Sequence, residues 1–232
     1  MVWKVITQLT LVVVVLVLAN QVRRPSRWLG RPFLWVMNGS HSALTDWGLR
    51  NVRIEKTFAI LDVGCGGGAT LQKLAAMATE GRVYGVDYAS ESVETSRAKN
   101  AALIQAGRVD VRQASVSQLP FADATFDLAT AIETHYYWPD LPKDILEVRR
   151  VLKPGGVFAV IAESYKGSPA DLAQRLAMKL LRASHRSLEE HRNWFVEGGF
   201  SDVQVFENRG HGWMCVTGRR PESATNPAST TS

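Results

Sequence analysis

Residues 61–71 read LDVGCGGGATL, a carboxylate at Asp62 set two residues ahead of a loop with glycines at 64, 66, 67 and 68. Glycine lacks the Cβ that would hold a ligand away from backbone amides, and it accepts the sharp turns such a loop needs. A second carboxylate, Asp87, ends the segment VYGVD roughly 20 residues later, where a ribose-binding acid is expected. A third reactive group stands further on. ETHYYWPD, residues 133–140, collects an acid, an imidazole, two phenols and an indole. Glu133 is a candidate for binding a cationic or donor group, and His135 has the ordinary pKa suited to a general base. Tyr136 and Tyr137 are candidates for a pocket wall or for cation–π contact with a positive ligand. Trp138, fixed ahead of Pro139, reads as packing.

The glycine spacing selects among ligands. A G-x-G-x-x-G loop would set a diphosphate over a helix N-terminus. Here the pattern is D-x-G-x-G-x-G, and a carboxylate at Asp62 would repel a diphosphate while receiving an ammonium group. The implied ligand has a ribose at one end and a cationic amino acid at the other, and S-adenosylmethionine fits that description. Cys65, between the loop glycines, reads as a compact filler and not as a nucleophile.

Positioning these groups requires a sheet. FAILDVG, GRVYGVD, residues 108–114, residues 126–132 and VFAVIAE read as five buried strands. Between them lie helical runs: GATLQKLAAMA, then SESVETSRAKNAALIQA opened by a Ser90 cap, then residues 141–152 ended by KPGG. Strands alternating with helices specify a parallel, doubly wound α/β sheet whose ligands sit at the carboxyl ends of the strands. After a helical region at 169–182 and a helix at 187–197, GFSDVQVFE and GWMCVTG are spaced to pair as an antiparallel hairpin.

LDVGCGGG, the acid of VYGVDYA, SQLPFADATFDLA and EVRRVLKPGGVFAV together resemble successive motifs of class I S-adenosylmethionine-dependent methyltransferases, most closely the small-molecule type 11 branch. The likeness runs from Leu61 to Ala162 and continues through EGGFSDVQV. It implies a Rossmann-like, doubly wound, seven-stranded sheet, mostly parallel with an antiparallel last strand. It also implies that Asp62 and the loop Gly64, Cys65, Gly66 and Gly68 hold the methionine portion of S-adenosylmethionine. Asp87 would take the ribose and Tyr88 would lie against the adenine. An acid common in the family just before the LPF segment is replaced here by Ser115, leaving adenine recognition to Ser115, Val116 and backbone groups. Glu133 follows strand four and would face the cofactor's amino group or the acceptor. His135, Tyr136 and Glu133 are then the candidates for the catalytic side. Methyl transfer is an in-line displacement needing a base only when the acceptor must shed a proton. The family also implies helices ahead of strand one that cap the cofactor, which makes His41, Thr45 and Trp47 a second possible wall.

Composition bounds the remainder. A chain of 232 residues, 46% hydrophobic and 21% charged, fits one α/β domain with small additions. Two cysteines exclude a disulfide framework, no zinc-ligand spacing is present, and no metal is expected. His185, His191 and His211 show no paired ligand spacing and receive no role. Val5 to Ala19 is an apolar run followed by Arg23, Arg24, Arg27 and Arg31. Residues 1–22 read as an uncleaved membrane anchor, since a span needs about 20 residues and the positive charges follow it. A cleaved secretory signal is the competing reading. The expected organisation is an anchor at 1–22, a basic linker with cap helices at 23–56, a methyltransferase domain at 57–218 and a disordered tail at 219–232. The catalytic domain would face the cytoplasm and act on a small, lipophilic acceptor. A nucleic-acid methyltransferase is the first rival, but the NPPY-type run expected after strand four is replaced by ETHYYW. A non-catalytic cofactor-binding or scaffold protein is the second, and a nicotinamide-dependent oxidoreductase the third. The sequence leaves the oligomeric state open.

Overall fold

The computed structural model describes residues 42–163, 165–168, 175, 178–179 and 183–222. The expected anchor, its cleavage alternative, His41 and most of the helical region expected at 169–182 lie outside the described residues. Among the described residues no helix is long and apolar enough to cross a membrane.

Seven strands form one sheet: β1 (Ala59–Val63), β2 (Arg82–Asp87), β3 (Val109–Gln113), β4 (Phe126–Ile132), β5 (Leu152–Ala162), β6 (Ser201–Asn208) and β7 (Trp213–Arg219). Their order is β3-β2-β1-β4-β5-β7-β6. β7 runs antiparallel to both β5 and β6, while the other neighbours pair in parallel. β1 is followed by β2 on one side, and the chain later returns to place β4 on the other. The crossovers therefore diverge at β1, which opens a crevice above its carboxyl end. β4, FDLATAI, is apolar at nearly every position because helices cover both faces of the sheet.

The flanking helices are α1 (Ser42–Leu49), α2 (Ala69–Met77), α3 (Ser90–Lys99), α4 (Ala101–Gln105), α5 (Leu141–Val151) and α6 (Leu188–Glu197). α5 buries Leu141, Ile145, Val148 and Val151, a stripe at three- and four-residue spacing. Its N-terminus is capped by Asp140, whose side chain accepts from the Lys143 amide at 3.4 Å. α6 begins with a reciprocal capping box between Ser187 and Glu190. One face of the sheet is centred on Phe158, which stacks on Phe195 at 5.0 Å and on Trp138 at 6.1 Å. The other face carries α1, where a Cβ on Gly48 would stand 2.5 Å from the Ile161 side chain. That contact lets the cap helix lie close against β5.

Local expectations needed correction at four places. The helix expected from Ser90 onward is two helices, divided at Asn100, whose amide donates to the carbonyls of Gly68 and Ser96 at 3.0 and 2.9 Å. Ser90 does not cap it. The N-cap is Ala89, and its amide donates to the Asp87 carboxylate at 2.9 Å because that acid stands at the mouth of the turn. KPGG is not a separating loop: Leu152 already pairs with Phe126, and the register shifts before Leu128 pairs with Val157. Gly155, at φ 78°, belongs to that irregularity. Finally, Arg219 lies in β7 and Arg220 donates to the carbonyls of Arg149 and Arg150 at 3.0 and 2.9 Å, so the folded chain extends past residue 218.

Candidate active site

The loop after β1 is bent by left-handed glycines, Gly64 at φ 79° and Gly66 at φ 50°. The amides of Gly64 and Cys65 both donate to the Val86 carbonyl, at 2.8 and 2.9 Å, which ties the loop to the end of β2. The Gly66 amide donates to Asp87 at 3.0 Å. A Cβ on Gly66 would meet nothing within 4 Å, so its Cα faces open space where a ligand can approach. Gly64 is different: a Cβ there would lie 2.0 Å from the Thr134 hydroxyl at the exit of β4. Gly68 is not on the cavity. Its added Cβ would strike Ser96 and Asn100 at 2.3 and 2.5 Å, so this glycine lets α2 start tightly against α3.

Above the carboxyl ends of β1, β2, β3 and β4 lies a cavity of about 480 Å³. Of the residues expected to hold the cofactor, Asp62, Gly64, Cys65, Gly66, Asp87, Tyr88, Ser115, Val116 and Glu133 line it, and Gly68 does not. Asp62 is buried, and its carboxylate accepts from the Thr130 hydroxyl at 2.7 Å. Burial drives its pKa up to about 7 against the Thr130 bond, with the charge of Asp87 adding to the rise. Burial also raises Asp87, partly offset by the amides of Ala89 and Gly66. Two acids desolvated beside one cavity form a site short of positive charge. Cys65 is held well above the usual thiol range by burial and by both acids, so it stays a neutral thiol, 3.9 Å from the Ser96 hydroxyl. Tyr88 lies at the rim, 45% exposed. Among the described residues no cluster of three or more His, Cys, Asp or Glu is arranged to hold a metal.

The exit of β4 departs most from expectation. Glu133 adopts φ 58°, a conformation disfavoured for a residue with a side chain. Its Oε1 accepts from the Glu163 amide at 2.6 Å and from the Tyr136 hydroxyl at 3.0 Å. Residues His135–Tyr137 then form a 3₁₀ turn. A turn of about three residues sends successive side chains in different directions. His135 and Tyr136 point into the core, 1% and 4% exposed, and neither lines the cavity. Of the three residues expected on the catalytic side, only Glu133 lines the cavity. Burial also pushes His135 well below the imidazole range, with His191 and Arg186 adding to the effect. Tyr137, Trp138 and Pro139 form the wall instead. Trp138 both packs on Phe158 and faces the cavity, so packing is only half of its role.

The cap helix contributes as well. Thr45 lines the cavity and Trp47 does not, since Trp47 packs on Trp213 at 6.0 Å. Ser42, Lys73 and Thr134 also line it and were not singled out in the sequence. Lys73 donates to the Ser42 carbonyl and hydroxyl at 3.1 and 2.9 Å and pairs with Asp46, fastening α1 to α2. The available signal was that Lys73 is the one charged residue of α2.

Residues 61–160 match the family model Methyltransf_11, a methyltransferase domain. This is a class I S-adenosylmethionine-dependent methyltransferase domain of the type 11 branch. The methyltransferase domain is 31% identical over 152 residues to O-methyltransferase cnsE of Penicillium expansum, covering 65% of this chain and 54% of that protein. It is 30% identical over 128 residues to the 2-phytyl-1,4-naphtoquinone methyltransferase of Trichormus variabilis, covering 55% of this chain and 56% of the relative. The chain thus spans about half the length of these curated relatives. A crystal structure of a SAM-dependent methyltransferase from Aquifex aeolicus shares the fold at a TM-score of 0.67 and 20% identity, over 82% of this chain and 97% of that one.

The cofactor of the methyltransferase domain is S-adenosylmethionine, and the cavity suits it on chemical grounds. Asp62 and Asp87 are buried acids beside the cavity, which suit a cationic and a hydroxyl-bearing ligand, and the Cα of Gly66 faces open space.

Proposed function

We propose that the protein moves a methyl group from S-adenosylmethionine to a small, lipophilic acceptor at a membrane. The observation that carries this reading is the division of one cavity. The acids Asp62 and Asp87 lie at one end with Gly66, and Ile132, Tyr137, Trp138 and Pro139 lie along the exit of β4. When bound, S-adenosylmethionine supplies an electrophilic methyl group on a cationic sulfur. Asp62 takes the ammonium of the amino-acid end and Asp87 takes the ribose hydroxyls. Tyr88 and Val116 flank the adenine. Tyr137 and Trp138 orient the acceptor and exclude water, so the chain contributes chiefly alignment of the reacting atoms. With His135 turned into the core, the acceptor that suits this site sheds its proton without help from an imidazole.

Supporting a lipophilic acceptor are the aromatic wall and the likeness to a 2-phytyl-1,4-naphtoquinone methyltransferase. Supporting a membrane position are the apolar run Val5 to Ala19 and the four arginines after it, which would hold the domain on the cytoplasmic side.

Calorimetry should detect S-adenosylmethionine binding and no NAD binding; the reverse pattern would sink the cofactor assignment. Asp87→Ala should weaken binding about 10- to 100-fold, the scale of one or two charge-assisted hydrogen bonds. Trp138→Phe should leave it nearly unchanged. A labelled-methyl screen over membrane extract, RNA, phenols and amines then assigns the acceptor class, and tight binding with no acceptor of any class would favour the scaffold reading. Deleting residues 1–20 should release the protein from sedimented membranes, and unchanged sedimentation would refute the anchor.

A further inference from the structure

His135 and His191 meet in the core with their Nε2 atoms 2.9 Å apart. Both are 1% exposed. The hydrogen bonds around them fix where the protons sit. His191 Nδ1 lies 2.7 Å from the Ser187 carbonyl, which can only accept, so Nδ1 carries the proton. His191 Nε2 is then an acceptor, and His135 Nε2 must donate to it. That leaves His135 Nδ1 as a bare lone pair, buried and without a hydrogen-bond partner among the described residues. The pair carries no buried charge while both rings are neutral. A proton on His191 Nε2 would set two N–H groups head to head. A proton on His135 Nδ1 would create a buried cation with no acceptor among the described residues.

This pair joins two parts of the fold that define the acceptor wall. His135 opens the 3₁₀ turn whose outward residue is Tyr137, followed by Trp138. The same turn is held from the far side by the Ser184 amide, which donates to the Tyr136 carbonyl at 2.9 Å. His191 belongs to α6, whose Trp194 donates to the Leu141 carbonyl at 2.8 Å and lies 6.3 Å from the His135 ring. Neither residue lines the cavity that Asp62, Gly66 and Asp87 share. The charged and titratable groups acting on the pair are Arg186, Glu190 and His185, with Tyr136 and Trp194 packed on His135.

We propose that His191 is a positioning residue for the acceptor side of the cavity, holding the Tyr137–Trp138 wall through a hydrogen bond to His135 within a buried, uncharged pair, and that the hold weakens when an added proton turns the pair into a buried cation. The inference rests on the methyltransferase reading for its purpose, but not for its test. Burial keeps His135 well below the imidazole range and takes His191 from 6.5 down to about 4. The sign follows: these groups are depressed in the folded state, so their stabilising contribution is complete above pH 6.5 and declines as the pH falls toward 4.

Hydrogen exchange of the full-length protein reads the wall directly. In the wild type, exchange of the segment 133–140, corrected for intrinsic rates, should rise about tenfold between pH 7.5 and 4.5 while 126–132 stays protected. At pH 7.5 His191→Leu should show the same local rise, with the Kd for S-adenosylhomocysteine changed less than about twofold. His191→Gln, whose amide oxygen can still accept from His135, should keep the segment protected. Unchanged exchange at 133–140 in His191→Leu overturns the proposal. So does a joint loss of cofactor affinity and of global protection in both variants, which marks a merely structural residue. Absence of S-adenosylhomocysteine binding in the wild type would defeat the methyltransferase reading instead, leaving the exchange result to decide the interlock.

Discussion

Asp62→Asn is expected to flatten the pH dependence of cofactor binding and, in the same protein, to raise the melting temperature of the cofactor-free form. The two effects share a cause. Burial lifts the Asp62 carboxyl from 3.8 to about 7, so the folded chain holds its proton more tightly than the unfolded chain does. A raised folded pKa gives a contribution that is complete below pH 3.8 and lost as the pH rises through about 7. For a shift of this size the loss at pH 8 is about 4 kcal/mol, an order-of-magnitude figure. Asparagine keeps the shape and can still accept from Thr130, yet carries no charge to desolvate. The variant should therefore melt several degrees higher at pH 8 and near the wild-type temperature at pH 4. Binding runs the other way. The cofactor's ammonium requires the carboxylate, so wild-type affinity should climb with pH, by up to tenfold per unit below about 7, and level off above it. Asp62→Asn should show no such climb and bind about 10- to 100-fold more weakly at pH 8. Calorimetry and thermal melts across pH 5 to 8.5 test both. A variant that binds as tightly as wild type with the same pH slope would remove Asp62 from the cofactor site.

Gly64→Ala should be the most disruptive single-methyl change in the site. At φ 79° an alanine costs about 1–2 kcal/mol in backbone strain. Its Cβ would also stand 2.0 Å from the Thr134 hydroxyl, and such overpacking adds about 1–3 kcal/mol. The sum places the loss at about 2–5 kcal/mol, read as a reduced urea midpoint. The displaced loop should also lose cofactor affinity, because the Gly64 and Cys65 amides anchor it to Val86. Adding Thr134→Gly should recover the steric part and not the backbone part. Full recovery in the double variant would show that φ at Gly64 carries no strain.

The glycine loop and its two acids were legible because their chemistry is local. Asp62, Gly64 and Gly66 act through backbone and carboxylate positions that the strand–loop–helix order places within one turn. Asp87 is carried to the same crevice by the right-handed crossover that parallel strands require. Gly68 was not separable from its neighbours by type. Only the position of α3 shows that its missing Cβ accommodates Ser96 and Asn100 and not a ligand. Lys73 and Ser42 were hidden for a similar reason, since they meet across a helix packing that no local pattern encodes.

ETHYYWPD marks the boundary between the two kinds of information. Composition and place after β4 determined that this stretch would border the cavity, because parallel strands end where ligands bind. Which side chains face the ligand depended on a 3₁₀ turn, on the strained backbone of Glu133 and on an α6 histidine 56 residues away from His135. The imidazole with the ordinary pKa of a base became the buried hydrogen-bond partner of a second histidine, and the tryptophan assigned to packing became part of the wall. The sequence by itself determined the sheet and the meeting of the glycine loop with Asp62 and Asp87 at one cavity, all set by short-range spacing and strand order. The tertiary structure alone decided the acceptor side, because the direction of each side chain and the ionisation of each buried group depend on what distant segments pack against them.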